Sequence, residues 1–210
     1  MQKPHQTVTL GMGCFWSPEA LFGHLPGVLR TQTGYAGGTT PDPVYRSMGD
    51  HTETVQVTFD PELISLQRLL HVFWDNHNPV NINGYKGRQY QSLVLYSDDE
   101  QLDTAREVIR ERAARGKGEP ATELAPLSVF YPAEDRHQKY YLKRFPDAME
   151  KLAALYPQPD QLHDSAAAAR LNGLAKGCTS LERILRDIRD WPADWGEKER
   201  IIEAVRQIKW

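Results

Sequence analysis

The sequence predicts a mixed α/β domain followed by a helical tail, on three observations. Short runs of alternating apolar residues recur through the first two-thirds of the chain, with segments of helical spacing between them. Hydrophobic residues make up 40% of the 210 residues, enough to fill a core. From about Asp147 onward no strand pattern survives. The length suits one domain, or one domain with an appendage, and the division falls at 1–146 and 147–210.

Each element has its own justification. Thr7 to Met12 alternates Val8 and Leu10 and reads as a strand ending in Gly11-Met12-Gly13-Cys14. Ser17-Pro18-Glu19 then supplies an N-cap, a proline at the first helical position and an acidic first turn. Val28 to Thr33 reads as a second strand, closed by Gly34-Tyr35-Ala36-Gly37-Gly38. Glu53 to Phe59 places Val55, Val57 and Phe59 on one face, and Asp60-Pro61 stops it. Leu66, Leu69, Leu70, Phe73 and Trp74 follow helical spacing over Ser65 to Asn76. Asn78 to Gly87 is rich in turn formers and reads as a loop. Ser92 to Tyr96 is a short strand, Asp98 or Asp99 caps a helix running to about Arg115, and Glu123 to Phe130 is the last strand. In the tail, Ala166 to Leu171, Leu181 to Ile188 and Ile201 to Ile208 are helical and expected to pack on the core.

Composition narrows the function classes. A net charge of −3 provides neither a basic field for nucleic acid nor a polybasic membrane signal. Met1 to Leu10 has one lysine and no apolar run, so no secretory leader is expected there, and no stretch approaches a membrane span. Two cysteines, Cys14 and Cys178, build neither a disulfide framework nor a four-cysteine zinc site, which fits a reducing, cytoplasmic setting. His51, His71 and His77 lack metal-ligand spacing with the cysteines, and neither metal nor cofactor is expected.

The chemistry centres on Gly13-Cys14-Phe15-Trp16-Ser17-Pro18-Glu19, a cysteine between a strand end and a helix start. First-turn N–H groups and the helix dipole favour an anion there, which would lower the thiol pKa. Two readings stay open on these residues: a thiolate nucleophile, or a small packed hydrophobe between two aromatic neighbours.

A longer pattern accompanies it. Gly13-Cys14-Phe15-Trp16 is followed in order by Leu25-Pro26-Gly27-Val28, Gly34-Tyr35-Ala36-Gly37-Gly38, Pro43-Val44-Tyr45-Arg46 and His51-Thr52-Glu53. Phe73-Trp74-Asp75-Asn76-His77, Gln89-Tyr90-Gln91-Ser92, Phe130-Tyr131-Pro132-Ala133-Glu134 and His137-Gln138-Lys139-Tyr140 continue it. From Thr7 to about Lys143 the chain resembles the peptide methionine sulfoxide reductases of type A.

That resemblance implies a ferredoxin-like α/β sandwich with a mixed sheet, here carrying a helical C-terminal extension. It implies reduction of the S epimer of methionine sulfoxide, free or in peptides and proteins. Cys14 becomes the attacking residue, Glu53 the proton donor, and Tyr45 and Tyr90 the hydrogen-bond donors to the sulfoxide oxygen. Phe15 and Trp16 become the residues that hold the S-methyl group. Thioredoxin or a similar dithiol becomes the reductant.

Such chemistry needs these residue types. A sulfoxide oxygen leaves only when protonated, a carboxyl in an apolar pocket stays neutral to higher pH, and phenol hydroxyls stabilise the developing charge. The nucleophile ends as a sulfenic acid, which a second thiol converts to a disulfide. Cys178 is the one candidate here, after the glycine-bearing stretch Leu171 to Gly177, expected to be mobile; the other reading has it packing a helix that starts near Thr179-Ser180.

Departures from the family pattern are specific. Ser17 replaces a glycine, the segment before Glu53 and the loop Asn78 to Gly87 are shorter, and Tyr85 stands where the family has an aspartate near the active site. Tyr85 either takes over that role or reshapes the pocket. The usual glycine-rich tail with recycling cysteines is missing in recognisable form. Two other function classes remain: a methionine sulfoxide-binding module without turnover, and a cysteine hydrolase or acyltransferase with a histidine base.

Overall fold

The computed structural model describes residues 4–210; residues 1–3 of the segment read for a leader lie outside it. Its first half runs β1 (Gln6–Met12), α1 (Trp16–Gly23), β2 (Val28–Ala36), β3 (Thr52–Phe59), α2 (Leu66–Asp75) and β4 (Ser92–Tyr96). α3 (Asp99–Ala114), β5 (Glu123–Pro126) and β6 (Phe130–Pro132) follow. One six-stranded sheet results, in the order β5-β4-β1-β3-β2-β6. β5 pairs parallel to β4 and every other pair is antiparallel. The four inner strands keep the order β4-β1-β3-β2 with a helix after β1 and after β3, the ferredoxin-like connection.

Alternation decides which face the helices cover. Val8 and Leu10 of β1, with Val55, Val57 and Phe59 of β3, point into a core completed by Phe22 of α1 and by Leu69, Leu70 and Phe73 of α2. Ser65 caps α2 by accepting from the Arg68 N–H, and Asp98 caps α3 by accepting from the Gln101 N–H. Each fully buried leucine or phenylalanine in this core contributes about 1.5–3 kcal/mol.

Three local expectations change. β2 does not stop at Thr33 but continues to Ala36, because Gly34, Tyr35 and Ala36 pair with Pro132, Tyr131 and Phe130. The single last strand from Glu123 to Phe130 is two strands on opposite edges of the sheet. After Pro126 one last bond runs from the Leu127 N–H to the Tyr96 carbonyl, and the chain then crosses the second face, where Leu127 and Phe130 pack on Ala36, Leu93 and Leu95. Ser17 is not the N-cap of α1: the helix opens at Trp16, and Phe15 holds the cap position without a side-chain bond of its own. Glu53 does that work, its carboxylate accepting the Phe15 N–H at 3.1 Å.

The remaining helices are α4 (Pro146–Leu155), α5 (Pro159–Asp164), α6 (Ala166–Lys176), α7 (Leu181–Arg189) and α8 (Trp195–Arg206). They share a second core, with Leu152, Leu171, Ile184 and Ile201 among its members, that also takes in Leu142 and Phe145. α6 lies directly on α1. A Cβ at Gly173 would stand 2.5 Å from the His24 Cβ, so only glycine allows this approach. Arg170, 2% exposed, locks the contact from α6: Nη1 donates to the Gly23 carbonyl at the end of α1, and Nε to Asp187 of α7. A cation at a helix C-terminus also complements its dipole. No helix among the described residues is long and apolar enough to cross a membrane.

Candidate active site

The site forms where β1 ends. Gly13 takes φ +91°, a left-handed conformation that turns the chain from strand to helix within two residues. Cys14 is thereby delivered to the start of α1, where its sulfur accepts the Trp16 N–H. Opposite it, β3 contributes Glu53, 1% exposed. The carboxylate accepts from the Phe15 N–H through Oε2 and from the Gln89 side-chain amide through Oε1 at 2.7 Å, and it hydrogen-bonds the Cys14 thiol.

The electrostatics run against the expectation of an acidified thiol. Burial pushes the Cys14 thiol up to about 11, the Trp16 N–H opposes this, and the negative charge of Glu53 adds to the rise. Desolvation outweighs the helix start because Cys14 sits among Phe15, Trp16, Tyr35 and Tyr45. Burial likewise raises the Glu53 carboxyl, against the hydrogen bonds from Gln89, Phe15 and Cys14. The thiol and the carboxyl are thus hydrogen-bonded to each other, and burial disfavours the charged form of both.

Two tyrosines meet over this pair. Tyr45 comes from the segment between β2 and β3, and Tyr90 from a one-turn 3₁₀ helix, Arg88–Tyr90. The Tyr45 and Tyr90 hydroxyls hydrogen-bond each other. Burial, followed by the charge of Glu53, pushes Tyr90 up to about 12 and raises Tyr45 in the same way. Both phenols stay protonated as donors.

The aromatic wall is built from Phe15 and Trp16. Trp16 stacks on Tyr140 at 3.7 Å between ring centres, with 3° between planes, and its indole N–H donates to His137 Nδ1. The His137 ring lies 5.3 Å from Phe15 and 4.7 Å from Tyr45, and burial lowers its pKa, so it remains a neutral structural partner. Glu134 holds the cage from behind, accepting from the Tyr35 hydroxyl at 2.6 Å and from the Tyr45 N–H at 3.2 Å.

On the other side of Cys14 opens a cavity of about 490 Å³ lined by both cysteines, together with Ser17, Tyr85, Tyr141 and Lys176. Both thiols are free. Tyr85 is 46% exposed and stacks on Tyr90 at 4.5 Å. The stretch leading to Cys178 is not a mobile loop but the end of α6: Gly177 closes it with φ +87°, and the Cys178 N–H bonds the Gly173 carbonyl. Ser180 then caps α7.

The structure thus gathers Cys14, Phe15, Trp16, Tyr45, Glu53 and Tyr90, with Tyr85 stacked on Tyr90 and Cys178 lining the adjoining cavity. Three contributors escaped the sequence reading. Gln89 and Glu134 were visible only as members of longer motifs, and Tyr140 as a neighbour of His137; nothing local says that they reach Glu53, Tyr45 or Trp16.

The family model described as "Peptide methionine sulfoxide reductase" matches residues 6–169. The chain belongs to this family. A Drosophila melanogaster peptide methionine sulfoxide reductase is 44% identical over 179 residues, covering 85% of this chain and 71% of that protein. The MsrA protein of Saccharolobus solfataricus is 36% identical over 175 residues, covering 76% and 99%. Among solved structures, methionine sulfoxide reductase A of Corynebacterium diphtheriae superposes with a TM-score of 0.59 at 32% identity, covering 69% of this chain and 77% of that one. Reduced Mxr1 from Saccharomyces cerevisiae gives 0.61 at 27% identity, covering 70% and 90%. The family match ends inside α6, so α7, α8 and Cys178 lie beyond it.

Proposed function

We propose that this chain is a peptide-methionine (S)-S-oxide reductase. The observation that carries the reading is the Cys14–Glu53 pair at the foot of an aromatic cage. Cys14 Sγ attacks the sulfoxide sulfur while Glu53 takes the thiol proton and passes it to the sulfoxide oxygen. Tyr45 and Tyr90 hydrogen-bond that oxygen as it accepts charge. Phe15 and Trp16 hold the S-methyl group by apolar contact. Oxygen transfers to Cys14, giving methionine and a Cys14 sulfenic acid: the substrate sulfur is reduced by two electrons and the cysteine oxidised by two.

Cys178 resolves the sulfenic acid as a Cys14–Cys178 disulfide, a role supported by the cavity that both residues line. Thioredoxin or a similar dithiol then reopens the bond, and two free cysteines suit a cytoplasmic setting. Residues 1–146 form the catalytic body, and 147–210 the extension that supplies the second thiol. Tyr85 stacks on Tyr90 and shapes the entrance as part of substrate binding.

The test is conversion of each epimer of a methionine sulfoxide derivative with dithiothreitol, beside Cys14→Ser. Formation of methionine from the S epimer alone, abolished by the substitution, is the expected result. Binding without product would leave a non-catalytic module. For the second thiol, mass spectrometry after one equivalent of substrate without reductant should find the disulfide; a persistent sulfenic acid on Cys14 refutes it.

A further inference from the structure

The cavity between the two thiols holds one cation that the reaction above does not use. Lys176, the last residue of α6, lines it two positions before Cys178. Its ammonium lies 5.1 Å from the centre of the Tyr141 ring. Tyr141 is itself fixed, its hydroxyl 2.8 Å from Ser17 Oγ and its backbone N–H bonded to Asn172 Oδ1 at 3.1 Å. Ser17 belongs to the helix that Cys14 precedes, so a chain of contacts runs from the first thiol's helix to a cation that lines the same cavity as the second thiol.

We propose that Lys176, seated on Tyr141 by the Ser17 contact, is the positioning residue that favours the reactive thiolate of Cys178 for disulfide formation. This rests on the resolving role given to Cys178 above. The Cys178 thiolate attacks Sγ of the Cys14 sulfenic acid; the S–S bond forms, the S–O bond breaks, and the leaving hydroxide takes a proton to become water. One thiol and one sulfenic acid yield one disulfide and one water, with no outside oxidant.

Burial raises the Cys178 thiol, and Lys176 is the charge that opposes that rise. Glu182, Arg183 and Arg186 of α7 border a separate hollow beside Cys178, and Arg186 pairs with Glu182 at 2.7 Å. Across the main cavity stand His77, whose pKa burial lowers, and the phenols of Tyr85 and Tyr141. Lys176 itself is exposed, so its replacement leaves the cores intact.

A single turnover with one equivalent of methionine sulfoxide and no reductant, quenched in acid over time, separates the steps: methionine release reads the first and the disulfide mass the second. Lys176→Met should leave methionine release unchanged, slow disulfide formation about tenfold at neutral pH and move its pH midpoint upward, while Lys176→Arg restores both. Disulfide formation in Lys176→Met at the parent rate and pH midpoint overturns the proposal and leaves the role of Cys178 standing. A parent protein that ends as the sulfenic acid overturns both.

Discussion

Cys14 shows why a candidate nucleophile can be located in a sequence while its ionisation cannot. Its place between a strand and a helix is written in Gly13-Cys14-Phe15-Trp16, and the helix start argues for a lowered pKa. The structure reverses the sign, because what covers the sulfur comes from distant residues, Tyr35 and Tyr45 among them, and because Glu53 arrives from another strand. Glu53→Gln should therefore do two things: cut methionine formation by about 10²–10⁴ and bring the Cys14 titration down from about 11. Thiolate absorbance against pH reads the second effect, and an unmoved titration would separate the two groups. The same coupling sets the pH profile. The active pair has one proton between thiol and carboxyl, so methionine release should rise through the elevated pKa of Glu53, stay level, and fall again near 11 as the last proton leaves. Single-turnover rates across pH check both limbs.

At the scale of elements, periodicity located the helix α2 and the strands β1, β3 and β4, whose apolar faces repeat within a few residues. It failed where pairing partners decide. Glu123 to Phe130 carries no mark of a strand that must change edges, and Ser17 looks like a cap because the carboxylate that serves the helix sits 38 residues away. The contact of α6 with α1 was equally hidden, since a glycine in a helix gives no sign of what approaches it. Gly173→Ala should push α6 off His24, costing about 1–3 kcal/mol of stability in denaturant unfolding. It should also slow formation of the Cys14–Cys178 disulfide while sparing methionine release, because Cys178 follows directly on α6 whereas Cys14 lies at the end of α1 away from His24.

Across the whole molecule, the body is tied together by a pair that sequence patterns do not reveal. Lys139 and Glu19 are fully buried, with Nζ 2.6 Å from Glu19 Oε1 and 2.7 Å from the Thr31 carbonyl. The pair links α1, β2 and the chain beyond β6, directly behind the helix that presents Cys14. Lys139→Met leaves a buried carboxylate without its partner and should cost about 3–5 kcal/mol. Urea unfolding measures it, and a loss below about 1 kcal/mol would show that Glu19 finds other donors.

The boundary at residue 169 divides the molecule by how often it can work. The residues proposed for one oxygen transfer lie before it, and the thiol proposed to reset the site lies after it. Cys178→Ser would leave a reagent, consumed once and then waiting on whatever thiol happened to diffuse in. On the proposed roles, the short turn between α6 and α7 that carries Cys178 is what makes that single shot a cycle.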